Sequence, residues 1–390
     1  MKEYIVTKDI LNIRSSATDV DDSNFIGQLS AGDTVYLTDD EIVGVVPKGG
    51  VSSIWKADAY NRLMSLDGLR LKNYADKKAE FIADPFNKFF IDPINPGDES
   101  KWKVSWGIVD LEVWKIWKDY NNKGAGIKVA ILDSGLNYEL ADFKNKNNII
   151  YYNADLDSDL KTDCFDASGH GTECAGILCA QGVTSFGIAS DVTLIVIRIT
   201  DSTGTRTTNA ILKGLEKAIE LMADIVSLSF YFPDDDPNFD NIHLKIQEAN
   251  TKNITVCAAV GDSGGLHFAV NNYPASFHEC LSIGAITQNE TRSSGSAQSD
   301  FLDLMAPGDN LYSIINPANI LVGSSYSTPF AVGIIALLKS IAKNKNITVQ
   351  SALMFDFLKK GANQDIQNYN TIEYGWGIIY PSVSLNLLLT

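Results

Sequence analysis

Basic side chains are in short supply in this chain: 32 lysines and arginines stand against 48 aspartates and glutamates, for a net charge of −16 over 390 residues. A surface of that sign repels phosphate backbones and anionic headgroups, so neither a nucleic acid nor a membrane is expected as a partner. Histidine is rarer still, with four in all. The five cysteines (Cys164, Cys174, Cys179, Cys257, Cys280) are odd in number and contain no Cys-x-x-Cys pair. Free thiols in a reducing compartment are expected, and the cytoplasm fits best. Long apolar runs are also missing. The densest, Phe330 to Leu338, is about half of the eighteen or so residues a membrane span needs and contains Gly333, so it reads as a buried helix. The first residues mix Lys2, Glu3, Lys8 and Asp9 with Tyr4, Ile5 and Val6, which offers no continuous apolar core of a secretory signal.

What is present is an ordinary globular mixture, 45% apolar and 21% charged, against a disordered tail, a collagen-like rod or a coiled coil. The length allows two or three domains and a core that needs no disulfide staples. From Tyr4 to about Lys72 short β-type runs, Leu11–Ile13, Phe25–Leu29 and Thr34–Leu37, alternate with Gly, Asp and Ser turns, the pattern of a small β-barrel. Residues 75–105 carry Pro85, Pro93, Pro96 and Asp98-Glu99 with little periodicity and read as a linker. Beyond Trp106 strands and helices alternate. Buried strands are expected at Ile127–Leu132, Thr193–Ile199, Ile225–Phe230, Ile254–Val260 and Cys280–Ile286, with helices at Leu111–Tyr120, Ala210–Met222, Ile242–Ala249, Thr328–Ala342 and Val349–Lys360. This is a doubly wound α/β pattern, in which sites form at the carboxyl ends of the strands.

Three short motifs carry chemistry. Asp133 closes the strand Ile127–Leu132 and is followed by Ser134-Gly135, so a carboxylate sits on a turn at the strand's carboxyl end. His170 lies between two glycines, Gly169-His170-Gly171-Thr172, where backbone can approach the imidazole closely. Ser325, in Gly323-Ser324-Ser325-Tyr326-Ser327-Thr328-Pro329, opens a buried helix whose N–H groups and dipole can stabilise a developing anion.

Together, in the order Asp, His, Ser, these motifs resemble the catalytic signatures of the subtilisin-like serine proteases, the subtilases. The resemblance runs from about Trp106 to Asn386 and includes Ala306-Pro307-Gly308 and Tyr374-Gly375-Trp376-Gly377. The N-terminal runs resemble bacterial SH3 (SH3b) domains. The resemblance implies an SH3b-like barrel over 1–74, a linker over 75–105 and a subtilisin-type α/β domain with a mainly parallel sheet over 106–390. It also implies a cytosolic serine endopeptidase acting on protein or peptide substrates through Asp133, His170 and Ser325, with the SH3b-like domain binding a protein or peptide ligand or restraining the cleft. Ser325 N–H would be one oxyanion donor. The second is in doubt, because Asp262 stands where most subtilases have asparagine, and an ionised carboxylate only accepts hydrogen bonds. A weak or inactive scaffold of subtilase fold is therefore the alternative.

The resemblance also implies a substrate cleft. Gly204, Thr205 and Arg206 would form an edge that pairs with an extended peptide, opposite Ser229, Phe230 and Tyr231, while Ala259, Val260 and Gly261 form the other wall of the specificity pocket. Tyr231 and Phe232 replace two glycines of the family, so either the pocket is narrowed or both rings turn into a local apolar cluster. Arg206 reads either as a solvated surface charge or, beside a substrate strand, as a group that would favour acidic residues. Cys174 and Cys179 read as core thiols rather than ligands, and the calcium loop of many subtilases is shortened at Gln181–Ser185. No metal or other cofactor is expected.

Overall fold

Runs of β-branched and aliphatic residues that are apolar on both sides can be buried only in the middle of a layered structure, and the second half of the chain places them there. In the computed structural model, the described residues are 2–6, 11–14, 25–29, 34–37, 42–46 and 69–71, as backbone strands, then 74–92, 94–263, 272–366 and 368–390. The chain divides into two compact units, Met1–Phe81 and Ile82–Thr390.

The first unit holds strands β1 (Lys2–Val6), β2 (Leu11–Arg14), β3 (Phe25–Leu29), β4 (Thr34–Leu37), β5 (Ile42–Val46) and β6 (Leu69–Leu71). They form a four-stranded sheet in the order β5-β4-β1-β6 and a separate β2-β3 pair, with antiparallel pairing throughout. The SH3b-like barrel expected over residues 1–74 falls largely outside the described residues. Helix α1 (Tyr74–Ala83) spans the division between the units.

Where a linker is expected, the second unit already folds. Asp84 caps the 3₁₀ helix Pro85–Phe89 by accepting from Phe86 N–H at 2.9 Å. Further on, Trp102 Nε1 donates to Pro96 O at 3.0 Å, and Lys103 N–H to Phe90 O at 2.8 Å. Phe90, Trp102 and Val104 are buried. Low periodicity concealed this segment because its aromatics bury singly rather than along one helix face.

The rest of the second unit runs α2 (Trp106–Asp110), α3 (Val113–Tyr120), β7 (Lys128–Asp133), α4 (Ala141–Lys144), β8 (Ile149–Asn153), α5 (His170–Cys179) and β9 (Thr193–Arg198). It continues with α6 (Thr208–Glu220), β10 (Ile225–Leu228), α7 (Phe239–Thr251), β11 (Thr255–Ala259), β12 (Cys280–Ile286) and β13 (Leu304–Pro307). A hairpin, β14 (Leu311–Tyr312) and β15 (Ile320–Leu321), leads into α8 (Ser324–Asn344), and α9 (Ser351–Gly361), α10 (Thr371–Tyr374) and α11 (Pro381–Leu389) close the chain.

Seven strands form one sheet in the order β13-β12-β11-β10-β7-β9-β8, every pair parallel. Alternate residues such as Ala130, Leu132, Ile195, Ile197, Val226 and Leu228 pack with Ile211, Leu215, Ile242 and Ile246 of α6 and α7. Helix α8 packs against β10 through β13, with α5 against it. The sheet is thus covered on both faces, an α/β arrangement of the doubly wound kind. The run Phe330–Leu338 lies within α8, which is longer and apolar enough by composition to cross a membrane; 89% of its apolar window is buried in the protein, so it is a core helix. Two strands of the sheet, β8 and β13, escaped the sequence reading, as did the helix α11. Tyr151 and Tyr152 broke the aliphatic signal in β8, and Pro307 ends β13 after three apolar residues. All five cysteines are buried free thiols.

Candidate active site

Parallel strands deliver their carboxyl ends to one edge of a sheet. Here that edge receives Asp133 at the end of β7, the turn after β9 that holds Arg206, Ser229 after β10, and Gly261 and Asp262 after β11. With His170 and Ser325 these residues line a cleft of about 550 Å³.

Asp133 is 7% exposed, and its Oδ1 accepts from Ser134 N–H at 2.7 Å. His170 opens α5, and its Nδ1 lies 2.8 Å and 3.0 Å from the two Asp133 oxygens. With Nδ1–H donating to the carboxylate, the Nε2 lone pair is left free to accept a proton. The approach depends on Gly171: a Cβ there would lie 2.5 Å from Gly135 O. The charge of Asp133 holds the His170 pKa above the ordinary imidazole value; burial and the charge of Arg206 oppose this without cancelling it.

The support of His170 includes a residue the sequence reading passed over. Buried Asp166 accepts from Gly169 N–H (2.8 Å), Ser168 N–H (3.0 Å), Thr172 N–H (2.9 Å) and the Thr172 hydroxyl (2.6 Å). It satisfies the unpaired N–H groups at the start of α5 and so sets the direction of the imidazole. Burial raises its carboxyl pKa, but the Thr172 and Gly169 donors outweigh burial and hold it below the ordinary value. An aspartate four residues ahead of a histidine that opens a helix was the available signal.

Ser325 lies in the first turn of α8, behind Gly323, whose φ of +148° and would-be Cβ only 2.9 Å from Asp262 Oδ2 favour glycine. Pro329, four residues on, has no N–H to give to Ser325 O. That freed carbonyl accepts instead from Ser229 Oγ at 2.8 Å and Cys174 Sγ at 3.4 Å. Cys174, read from sequence only as a core thiol, thus anchors the backbone of the candidate nucleophile from behind. The Ser325 hydroxyl contacts Ser229 O at 3.4 Å.

Asp262 meets the same helix end. Its Oδ1 accepts from Ser324 N–H at 2.7 Å, and Gly261 N–H donates to Ser324 Oγ at 3.1 Å. Burial raises its carboxyl pKa above the ordinary value; the Ser324 and Ser325 donors and the charge of His170 oppose this without cancelling it. The carboxylate thus addresses the amino end of α8.

Of the expected cleft residues, Gly204, Arg206, Ser229, Phe230, Tyr231, Ala259 and Gly261 line the cavity. Thr205 and Val260 do not: Thr205 N–H bonds to Asp201 Oδ1 at 2.9 Å, and Val260 is fully buried with its N–H on Ile283 O at 2.9 Å. The two aromatics divide. Tyr231 is 59% exposed at the cleft, whereas Phe232 is buried against Phe239, Tyr273 and Phe277.

Ligand atoms of Asp133, His170 and Cys174 lie within 4.8 Å of one another. Burial pushes the Cys174 thiol well up, however, and the Asp133–His170 hydrogen bond uses the atoms an ion would need. The arrangement suits proton transfer better than a cation. In the loop over residues 181–185, the buried Asp142 carboxylate accepts from Val183 N–H and Thr184 N–H, both at 2.8 Å.

Residues 124–377 match the subtilase family. Among curated proteins, the intracellular serine protease of Paenibacillus polymyxa is 30% identical over 245 residues, covering 60% of this chain and 73% of that protein. Subtilisin DY of Bacillus licheniformis is 31% identical over 243 residues, 61% of this chain and 85% of its own length. The major intracellular serine protease of Bacillus subtilis (strain 168) is 29% identical over 242 residues, 60% and 74% of the two chains.

Proposed function

This chain belongs to the subtilase family of serine endopeptidases, and we propose that it cleaves peptide bonds with Ser325 as nucleophile, His170 as general base and acid, and Asp133 as the group that orients the imidazole. A serine hydroxyl is a poor nucleophile at neutral pH, so His170 Nε2 takes its proton as Oγ attacks the carbonyl carbon. The same proton then passes to the leaving amine as the acyl-enzyme forms, and water repeats the cycle to release the acid. The observation that carries the reading is the doubly engaged Nδ1 of His170, 2.8 Å and 3.0 Å from the Asp133 carboxylate. It leaves one ring nitrogen free in the same cleft that Ser325, at a helix amino end, lines.

The substrates are extended peptides lying between the 204–206 and 229–231 segments. The site of action is intracellular, a reading supported by two similar proteins that are named intracellular proteases and by five free thiols. The N-terminal unit is a small SH3b-like β-domain that binds a protein or peptide ligand and restrains the protease. The restraint is assigned to residues 1–81, with residues 82–105 as the alternative.

A fluorophosphonate probe tests the central reading, since covalent capture requires an activated serine. Labelling of the full chain, or of a chain beginning at Ile82, that disappears in Ser325→Ala is the expected result; no labelling of either folded chain refutes it.

A further inference from the structure

Arg206 is the one permanently cationic side chain among the described residues that line the cleft. Its guanidinium stands 5.0 Å over the ring of Phe230, and Nη2 reaches the carbonyl of Tyr231 at 3.4 Å. The side chain therefore starts on one edge of the cleft and ends on the other, over the space an extended peptide would fill. Its backbone is held by a tight hairpin turn. Asp201 N–H donates to Thr205 O at 2.9 Å, while Asp201 Oδ1 takes Thr203 N–H, the Thr203 hydroxyl and Thr205 N–H at 2.8, 2.7 and 2.9 Å.

The carboxylates within reach are spoken for. Asp201 is consumed by its own turn, and Asp133 by His170 and Ser134. No salt bridge joins Arg206 to any described residue, and its single long bond leaves most of its five donors unused. Arg198 on the preceding strand shows the contrast: its Nε, Nη1 and Nη2 all donate to backbone carbonyls, of Thr200, Phe165 and Asp201. A guanidinium fixed at its base, stacked on a buried ring and lacking an anionic partner is a preformed fork for a carboxylate.

We propose that Arg206 is a specificity-determining residue that receives an acidic side chain of the bound peptide, so that the substrates are segments carrying Asp or Glu beside the scissile bond. On binding, the guanidinium gives up the long contact to Tyr231 O, freeing that carbonyl to pair with the peptide backbone, and forms two charge-assisted bonds in its place. The proposal rests on the reading that the cleft holds an extended peptide.

The test separates binding from chemistry. The full-length Ser325→Ala chain is titrated, by fluorescence anisotropy, with labelled octapeptides of one neutral sequence in which Asp or Asn replaces each residue in turn. At one position Asp is expected to bind about tenfold tighter than Asn, as a charge-assisted pair exceeds its amide isostere. Adding Arg206→Gln should reduce that ratio to about twofold or less. Equal binding of Asp and Asn peptides at every position, a preference that survives Arg206→Gln, or no peptide binding at all overturns the proposal. Hydrolysis of the best peptide by the unaltered chain is scored separately. An Arg206-dependent preference without cleavage upholds the acidic site and removes the protease reading; cleavage without preference does the reverse.

Discussion

Replacing Asp262 by asparagine should make the enzyme faster, most of all in alkaline solution. The Asp262 carboxylate sits on the amino end of α8, accepting from Ser324 N–H at 2.7 Å, with the Ser325 N–H contributing to its stabilisation. Of these, Ser325 N–H is the donor an oxyanion formed at Ser325 would need. Ionised, Asp262 competes for it and repels the oxyanion; protonated, it can donate to it. Burial raises its pKa, which widens the protonated range, but the charge of Asp133 also raises His170, which must be neutral to act as base. Below the His170 pKa the base is lost, and above the Asp262 pKa the donor is lost, so the native enzyme is squeezed from both sides. An asparagine amide donates at every pH, and its Oδ1 can keep the Ser324 N–H. One oxyanion donor is worth about 10²–10³ in kcat. Since Ser325 N–H remains in both proteins, a gain approaching about 10² at alkaline pH is expected, shrinking toward acid where His170 limits both. The measurement is kcat against pH for both proteins, normalised to fluorophosphonate-titrated sites. Parallel profiles of equal height would show that Asp262 has no part in stabilising the oxyanion. Stability carries its own sign. A carboxyl whose folded pKa lies above its unfolded value contributes less to stability as pH rises through that interval. Asp262→Asn should accordingly leave the alkaline Tm unchanged or higher.

Ser325→Ala and His170→Ala should each abolish peptide hydrolysis while leaving circular dichroism and Tm close to those of the parent, because each removes part of one proton-transfer unit; full activity in either folded variant would sink the mechanism. Asp142→Ala should cost about 1–2 kcal/mol in chemical denaturation by removing the acceptor that holds the Val183 and Thr184 N–H groups. Because those bonds already occupy the carboxylate, a chelator such as EDTA should leave the parent Tm in place. A chain beginning at Ile82 should hydrolyse peptides faster than the full chain if residues 1–81 restrain the cleft; equal rates with both proteins folded would remove that role.

The residue types and their order were legible in one dimension. A β-branched run ending in Asp133, a histidine between glycines and a serine ahead of a buried helix each carry a local reason for their shape, and local reasons are what periodicity and turn chemistry report. The five aliphatic strands beyond Trp106 were readable for the same cause, since a strand buried on both faces is apolar throughout. Contacts between distant segments were not. That the Ser325 carbonyl freed by Pro329 meets Ser229 and Cys174, and that Asp262 reaches across to Ser324 N–H, join residues that meet only once parallel strands bring their ends to one edge. The aromatics after Ser229 show the same division most directly. Composition made Tyr231 and Phe232 equal, and only the packing of Phe239, Tyr273 and Phe277 supplied an apolar hollow for one ring, leaving the other at the cleft.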